Sequence, residues 1–259
     1  MHRLLIGLAI VATALFAGVS CFASATITAH KPTPDQAIEM LKKGNERFVT
    51  GKSVHPNTGP ARLKQAATED QGNHAYATII ACSDSRVPVE RIFDAGVMDI
   101  FSIRIAGNVC NVDEIGSIEY GVAHVHTPVV LVLGHTQCGA VTAVTKALQG
   151  KEVRLERNIP HLIDGIRPAV KKAMVENPGV RGAKLVPHAI EQNIRQAVEN
   201  LFMESPVTRN LVKDGKVKVV AAMYDVGTGK VNWLPESIVG SILEKVENHP
   251  QRAMNPMAR

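Results

Sequence analysis

The hydrophobic and polar positions of the chain follow two patterns, short continuous apolar runs and longer amphipathic segments. Four runs rich in Val, Ile and Ala lie at residues 75–81, 100–106, 128–133 and 217–223. Continuous runs of this length predict strands that are buried on both faces, as in a parallel sheet. A Gly-Thr-Gly turn then precedes residues 230–234, which are predicted to return as an antiparallel edge strand.

Segments with helical spacing separate the apolar runs. Thr33 followed by Pro34 is typical of a helix start, and this first helix is predicted to end at Gly51. Further helices are predicted at residues 61–67, 117–126, 140–148, 161–174, 186–203 and 237–246. The alternation predicts an α/β fold with a mainly parallel four-stranded sheet and one antiparallel edge strand, flanked by helices.

The amino terminus has the pattern of a secretory signal peptide. A basic start is followed by an apolar run at residues 4–19 and by the small residues Ala23-Ser24-Ala25. We therefore expect cleavage after residue 25, a single mature domain at residues 26–259, export to the periplasm and no stable membrane anchor. A retained anchor and a lipoprotein attached through Cys21 are the alternatives.

Composition excludes several classes of protein. The chain has 259 residues, of which 45% are hydrophobic and 20% charged, so it is neither disordered nor fibrous. Its net charge of +5 comes from scattered Lys and Arg residues without interleaved aromatic residues. We therefore expect no nucleic-acid partner.

Three candidate metal ligands follow two of the predicted strands. Cys82 comes directly after the first apolar run, and His135 and Cys138 come directly after the third. Ligands collect at the carboxyl ends of strands in open parallel sheets, so these side chains are expected to converge. Two Cys and one His suit Zn²⁺ and leave one tetrahedral position open, which predicts one catalytic Zn²⁺ per chain. Cys110 is interpreted as a small buried hydrophobe.

Asp84 and Arg86 stand beside the first of these ligands. They are two residues apart, so on an extended segment they point the same way and can pair. The pair is either a catalytic dyad or a structural ion pair at the strand end. Gly107 and Gly139 are predicted to line a small substrate pocket, because glycine lets the main chain approach closely.

The motifs together resemble those of the β-class carbonic anhydrases. The family signature corresponds to C-S-D-S-R-V at 82–87 and H-T-Q-C-G at 135–139, and F-S-I-R-I-A-G-N at 101–108 and S-I-E-Y-G-V at 117–122 are also similar. These motifs occur in the family's order, and with further matches on either side the likeness covers nearly the whole mature chain.

The resemblance implies zinc-dependent, reversible hydration of carbon dioxide to bicarbonate and a proton. It implies that Asp84 orients zinc-bound hydroxide and that, after leaving Arg86, the same carboxylate can become a fourth ligand that closes the site. Asn73 stands where many members have a Gln that binds a substrate oxygen. The resemblance also implies a homodimer or homotetramer with active sites near the dimer interface.

Two other functions remain open. A carbon disulfide or carbonyl sulfide hydrolase shares the fold and the ligands, and assays with each substrate separate it from a carbonic anhydrase. A non-catalytic zinc or bicarbonate-sensing module is the second alternative, which the presence of both Asp84 and Arg86 disfavours. Zinc deaminases and thioredoxin-like proteins are disfavoured because C-x-x-C is absent.

Overall fold

The computed structural model describes residues 31–257, and the predicted signal peptide lies outside them. The strands are β1 (Ala77–Ala81), β2 (Ile100–Arg104), β3 (Val129–His135), β4 (Lys218–Tyr224) and β5 (Val231–Trp233). The helices are α1 (Pro34–Val49), α2 (Pro60–Ala66), α3 (Val89–Ile92), α4 (Val112–Ala123), α5 (Gly139–Leu148), α6 (Ile159–Ile163), α7 (Arg167–Glu176), α8 (Val186–Glu204), α9 (Pro206–Lys213) and α10 (Glu236–Glu247).

The strands form one mixed sheet in the order β2-β1-β3-β4-β5. The first four are parallel, and β5 pairs antiparallel with β4 at one edge. The predicted α/β class and the antiparallel edge strand are confirmed. The predicted strand count of four is corrected to five, because the short edge strand completes the sheet.

Helices cover both faces of the sheet, which explains why β1 and β3 are apolar at almost every position. On one face α4, α5, α7, α8 and α10 pack against alternate strand residues, and on the other face α1 and α3 do so. All five residues of β1 and all seven of β3 are buried. Residues 31–257 contain no helix with the length and apolar character needed to cross a bilayer.

The helix starts follow local capping chemistry. The Thr33 hydroxyl accepts a hydrogen bond from the Gln36 backbone N–H, and the Gln36 side chain accepts one from the Thr33 N–H, so α1 begins with a capping box. Asn111 and Glu114 form a second capping box. As a result α4 begins at Val112, five residues before the predicted start at Ser117.

Other helix predictions also differ from the structure. The segment predicted as one helix at residues 161–174 consists of α6, a 3₁₀ turn and α7, with Pro160 and Pro168 in the first turns of the two α-helices. The short helix α3 and helix α9 were not predicted, although Ser205 caps α9 by accepting a hydrogen bond from the Thr208 N–H.

Candidate metal centre

Three potential metal ligands meet at the carboxyl edge of the sheet. Cys82 follows β1, His135 is the last residue of β3, and Cys138 is the N-cap of α5. Their ligand atoms all lie within 4.8 Å of one another, and all three residues are buried. In the described part of the chain they are the only group of three or more His, Cys, Asp or Glu residues with this geometry. The structure thus brings the three predicted ligands together.

The imidazole of His135 is oriented by its own loop. Its Nδ1 lies 2.9 Å from the Thr136 carbonyl oxygen, which can only accept, so Nδ1 carries the proton. The other nitrogen, Nε2, is buried and has no hydrogen-bond partner among residues 31–257. A metal ion binds to the lone pair of an unprotonated ring nitrogen. Nε2 has such a lone pair, and it lies within 4.8 Å of the two thiol sulfurs.

Backbone N–H groups surround the sulfur of Cys82. The N–H of Gly107 lies 3.2 Å from this sulfur and the N–H of Asp84 lies 3.5 Å from it. The pKa of the Cys82 thiol is lowered, chiefly because the Cys138 thiol donates a hydrogen bond to it. The two N–H groups add to this effect, and burial opposes it. These donors stabilise negative charge on the Cys82 sulfur.

The thiol of Cys138 lies beside the Cys82 sulfur. Its pKa is raised because it donates to Cys82 and because it is buried, while the N–H groups of Val141 and Ala140 at the start of α5 act in the opposite direction. A cation that replaces the thiol proton would leave both sulfurs as thiolates. The two thiols, the imidazole and the surrounding donors therefore fit Zn²⁺.

Asp84 and Arg86 form an ion pair with two parallel hydrogen bonds at the same edge. Arg86 Nε lies 2.9 Å from Asp84 Oδ1 and Nη2 lies 2.7 Å from Oδ2, while the Arg86 backbone N–H also donates to Oδ1. The Arg86 guanidinium holds the pKa of the Asp84 carboxyl well below its usual range, so the group stays ionised. Asp84 lies with Arg86 rather than among the three ligand atoms.

Two further residues fix this loop and had no predicted role. Arg104, at the end of β2, donates to the carbonyl oxygens of Cys82 and Asp84 at 3.2 and 2.8 Å. Gln137 accepts from Arg86 through both its side-chain and its backbone oxygen, at 3.2 Å each. The parallel register, which places Arg104 opposite Ala81, brings Arg104 to this loop; sequence spacing alone does not reveal it.

The two predicted pocket glycines have different surroundings. Gly107 has a φ of +73°, and a Cβ there would lie 2.6 Å from Ile166 Cδ1. Its carbonyl oxygen accepts from the buried Asn193 side chain at 2.7 Å, another contact that the sequence did not reveal. Gly139 begins α5, and a Cβ there would meet nothing within 4 Å.

Asn73 lies at the amino edge of the sheet, away from the metal centre. It belongs to a 3₁₀ turn before β1, whereas Cys82 follows β1. The five residues of this strand separate them by roughly 16 Å. Within one chain Asn73 therefore lies at the opposite edge of the sheet from Cys82, because a strand carries its two ends to opposite edges, and its role in a substrate pocket stays a prediction.

Comparison with known proteins identifies the family. The fold and the buried Cys-His-Cys group define an α/β protein with a candidate catalytic metal site. The family model described as carbonic anhydrase matches residues 77–231. Together with the relatives and solved structures described next, this match shows that the chain belongs to the carbonic anhydrase family, in its β-class.

The relatives are similar over most of their length. The carbonic anhydrase of Mycolicibacterium smegmatis is 33% identical over 201 residues, 76% of this chain and 92% of its own. Carbonic anhydrase 2 of Mycobacterium tuberculosis is 32% identical over 220 residues, 82% of this chain and 98% of its own.

Solved structures share the fold. The β-carbonic anhydrase CafA of Aspergillus fumigatus has a TM-score of 0.61 and 24% identity, over 82% of this chain and 99% of that chain. A β-carbonic anhydrase of Sordaria macrospora, described as tetrameric, has a TM-score of 0.59 and 19% identity, over 77% and 97% of the two chains.

Proposed function

We propose that this protein catalyses the reversible hydration of carbon dioxide to bicarbonate and a proton, with one Zn²⁺ held by Cys82, His135 and Cys138. The observation that carries the proposal is the convergence of three buried ligand atoms within 4.8 Å in a chain of the carbonic anhydrase family. When bound, Zn²⁺ supplies a Lewis acid that makes water a nucleophile near neutral pH.

The protein's own groups prepare the ligands. The hydrogen bond between His135 Nδ1 and the Thr136 carbonyl leaves Nε2 free to coordinate. The N–H groups of Gly107 and Asp84 stabilise negative charge on the sulfur of Cys82, as those of Ala140 and Val141 do for Cys138. Little reorganisation is then needed on metal binding, because the ligands are already oriented.

Asp84 is proposed to orient the attacking water. A carboxylate that stays ionised beside Arg86 accepts a hydrogen bond but does not itself become protonated near neutral pH. It can therefore hold the water with a lone pair directed at the carbon of CO₂. Arg86 fixes the carboxylate through two side-chain hydrogen bonds, and Gln137 holds Arg86 from the other side.

The same pair is proposed to set whether the site is open. With both Asp84 oxygens on Arg86, the carboxylate stays away from the three ligand atoms, so a position on a bound Zn²⁺ would be open to water. Release of the carboxylate from Arg86 would let Asp84 enter that position and exclude water. The ion pair in the present structure supports the open arrangement.

The test is stopped-flow CO₂ hydration by the purified chain, with zinc content measured on the same sample. We expect about one zinc per chain and hydration that is lost on chelation and restored by Zn²⁺. Full zinc occupancy without CO₂ hydration would contradict the proposal. Parallel assays with carbon disulfide and carbonyl sulfide separate the hydrolase alternative from the proposed activity.

We also propose a homodimer or homotetramer, and an exported mature chain that begins near residue 26. The fold shared with tetrameric proteins supports the first proposal, and the pattern of residues 1–25 supports the second. Light scattering of the purified protein measures the assembly, and a monomer would contradict the first proposal. Amino-terminal sequencing of protein recovered from the periplasm tests export, and an uncleaved cytoplasmic chain would contradict the second.

A further inference from the structure

A cavity lies next to the loop that joins His135 to Cys138. Its volume is about 410 Å³, within the range of small-molecule sites. Thr136 and Gln137 form part of its wall on the side of the metal centre. The remaining walls come from α5 and the turn after it, from α8 and the segment that leads into it, and from Met223 of β4.

The cavity lies on the face of the sheet that α5 and α8 cover, and not on the face that α1 covers. Met223 and Tyr224 are consecutive residues of β4, so their side chains point to opposite faces. Met223 packs with the cluster that contains α5 and α8, whereas Tyr224 packs with the cluster that contains α1. None of the predicted metal ligands lines this cavity.

The deeper wall is apolar and the mouth is positively charged. Val186, Ile190 and Met223 supply aliphatic and thioether surface, whereas Lys146 and Lys151 are exposed at the rim. No Asp or Glu is among the lining residues. Neither lysine takes part in an ion pair within residues 31–257, so their charges are available to an anion.

Gln149 connects two walls of the cavity. Its Oε1 accepts from the Gly182 backbone N–H at 2.8 Å, which fixes the orientation of the amide because a flip would bring two donors together. Its Nε2 is buried and has no hydrogen-bond partner in the described part of the chain. This nitrogen does not reach the cavity surface, and the role of Gln149 is to join the end of α5 to Gly182, so that two walls of the cavity are held together.

We propose that this cavity binds a small carboxylate with an apolar body. The carboxylate would lie between the two lysines, and the apolar part would contact Val186, Ile190 and Met223. The ligand would also touch Gln137, which accepts two hydrogen bonds from Arg86. The proposal rests on the cavity's shape and charge and does not depend on the proposed hydration activity.

Calorimetry and saturation-transfer NMR on the full zinc-loaded chain test this site, with hexanoate, hexanamide and acetate as probes. Hexanoate is expected to bind with one site per chain. Hexanamide lacks the charge and acetate lacks the apolar body, so each is expected to bind at least about tenfold more weakly. Equal binding of acetate and hexanoate would overturn the proposal, because it would indicate anion binding without the apolar wall.

Three variants locate the binding. Ala183 is exposed and lines the cavity, so Ala183→Phe is expected to fill the mouth and abolish hexanoate binding while the chain stays folded. The double variant Lys146→Gln and Lys151→Gln is expected to weaken binding about tenfold. Lys171→Gln, at an exposed lysine of α7 away from the cavity, is the matched control and should leave binding unchanged.

Two results would overturn the assignment. One is the absence of hexanoate binding to the unmodified protein. The other is binding that is unaffected both by Ala183→Phe and by the double lysine variant, since hexanoate would then bind elsewhere, for example at the metal. Circular dichroism of each variant confirms that a loss of binding is not a loss of fold.

Discussion

The two edges of the sheet both hold a carboxylate paired with an arginine, but they differ in how completely their polar atoms are satisfied. At the amino edge, the buried Asp94 accepts hydrogen bonds from Arg47 and from the N–H groups of Val54 and His55. Nearby, Asp99 accepts from Asn57, Arg62 and the N–H of Gly96. Each carboxylate oxygen there has a partner from its own chain.

The carboxyl edge leaves ligand atoms free. His135 Nε2 has no partner in the described chain, two buried thiols lie within 4.8 Å of it, and Asp84 lies on a partly exposed loop with Arg86. Folding alone does not explain a buried nitrogen without a partner, since such groups are normally satisfied. The comparison teaches that an Asp-Arg pair is ambiguous by itself, and that unsatisfied neighbours mark the edge where chemistry occurs.

Among the changes at either edge, removal of a metal ligand at the carboxyl edge should have the largest effect on zinc binding and on hydration. Cys82→Ser replaces the thiolate with a hydroxyl that is a far weaker zinc ligand, so metal affinity is expected to fall by more than about 100-fold and hydration to reach background. Zinc content and stopped-flow rates measure both effects. Cys110→Ala is the matched control, because Cys110 is a buried free thiol outside the ligand group. Normal zinc content in Cys82→Ser would remove this residue from the site.

Loss of the amino-edge carboxylate should affect stability rather than catalysis. Asp94→Ala leaves two backbone N–H groups without their acceptor and Arg47 without its partner, so the free energy of unfolding is expected to fall by about 3 kcal/mol. Urea unfolding measures this change, and the rate per folded, zinc-loaded site should stay the same. Glu152→Ala, which breaks an exposed pair with Arg154, should change stability by less than about 0.5 kcal/mol. An unchanged midpoint in Asp94→Ala would refute the structural role.

The corresponding change at the carboxyl edge should affect catalysis rather than stability. Asp84→Asn removes the charge but keeps the size of the side chain, so zinc should remain bound while the hydration rate falls by about 100-fold or more. The readouts are zinc content, the rate and the unfolding midpoint of the same sample. A fully active Asp84→Asn would show that the ion pair is structural, like the pair at the other edge.

Acid should remove the stability that Asp94 contributes at the amino edge. Burial acts to raise the pKa of Asp94, but hydrogen bonds from Arg47 and from the N–H groups of Val54 and His55 outweigh it, so the pKa is lowered. A carboxyl with a lowered folded-state pKa contributes stability that is present above its unfolded pKa of about 4 and is lost as pH falls through the folded pKa. Unfolding midpoints measured from pH 6 to pH 2 should therefore fall more steeply for the unmodified chain than for Asp94→Ala. Parallel curves would contradict this assignment.

The smallest expected effects are those of the alanine substitutions at Gly107 and Gly139. Gly107→Ala meets a left-handed φ of +73° and a close approach to Ile166, so we expect a loss of about 1 to 2 kcal/mol in stability and weaker zinc binding as the N–H moves from Cys82. Gly139→Ala has open space and should change stability by less than about 0.5 kcal/mol. Equal effects would mean that the contact of Gly107 with Cys82 is unimportant.

Much of the fold was predictable because each element has a local signal. Continuous Val and Ile runs predicted β1 to β4 to within two residues at each end, and the turn before β5 predicted the antiparallel edge. The predictions failed where a signal was overlooked, as with the cap of α9 at Ser205, or where proline divided a helix, as between α6 and α7.

The sequence by itself determined which chemistry is present: two thiols, an imidazole, and a carboxylate beside an arginine, each placed after an apolar run. Local periodicity and residue type were sufficient for this, because both are properties of neighbouring residues. Only the tertiary structure decided which groups meet. The parallel register brought Arg104 to the loop at Cys82, the length of β1 carried Asn73 away from it, and the packing of α8 brought Asn193 to Gly107. Contacts between residues distant in the chain depend on the whole packed sheet, which sequence spacing does not encode.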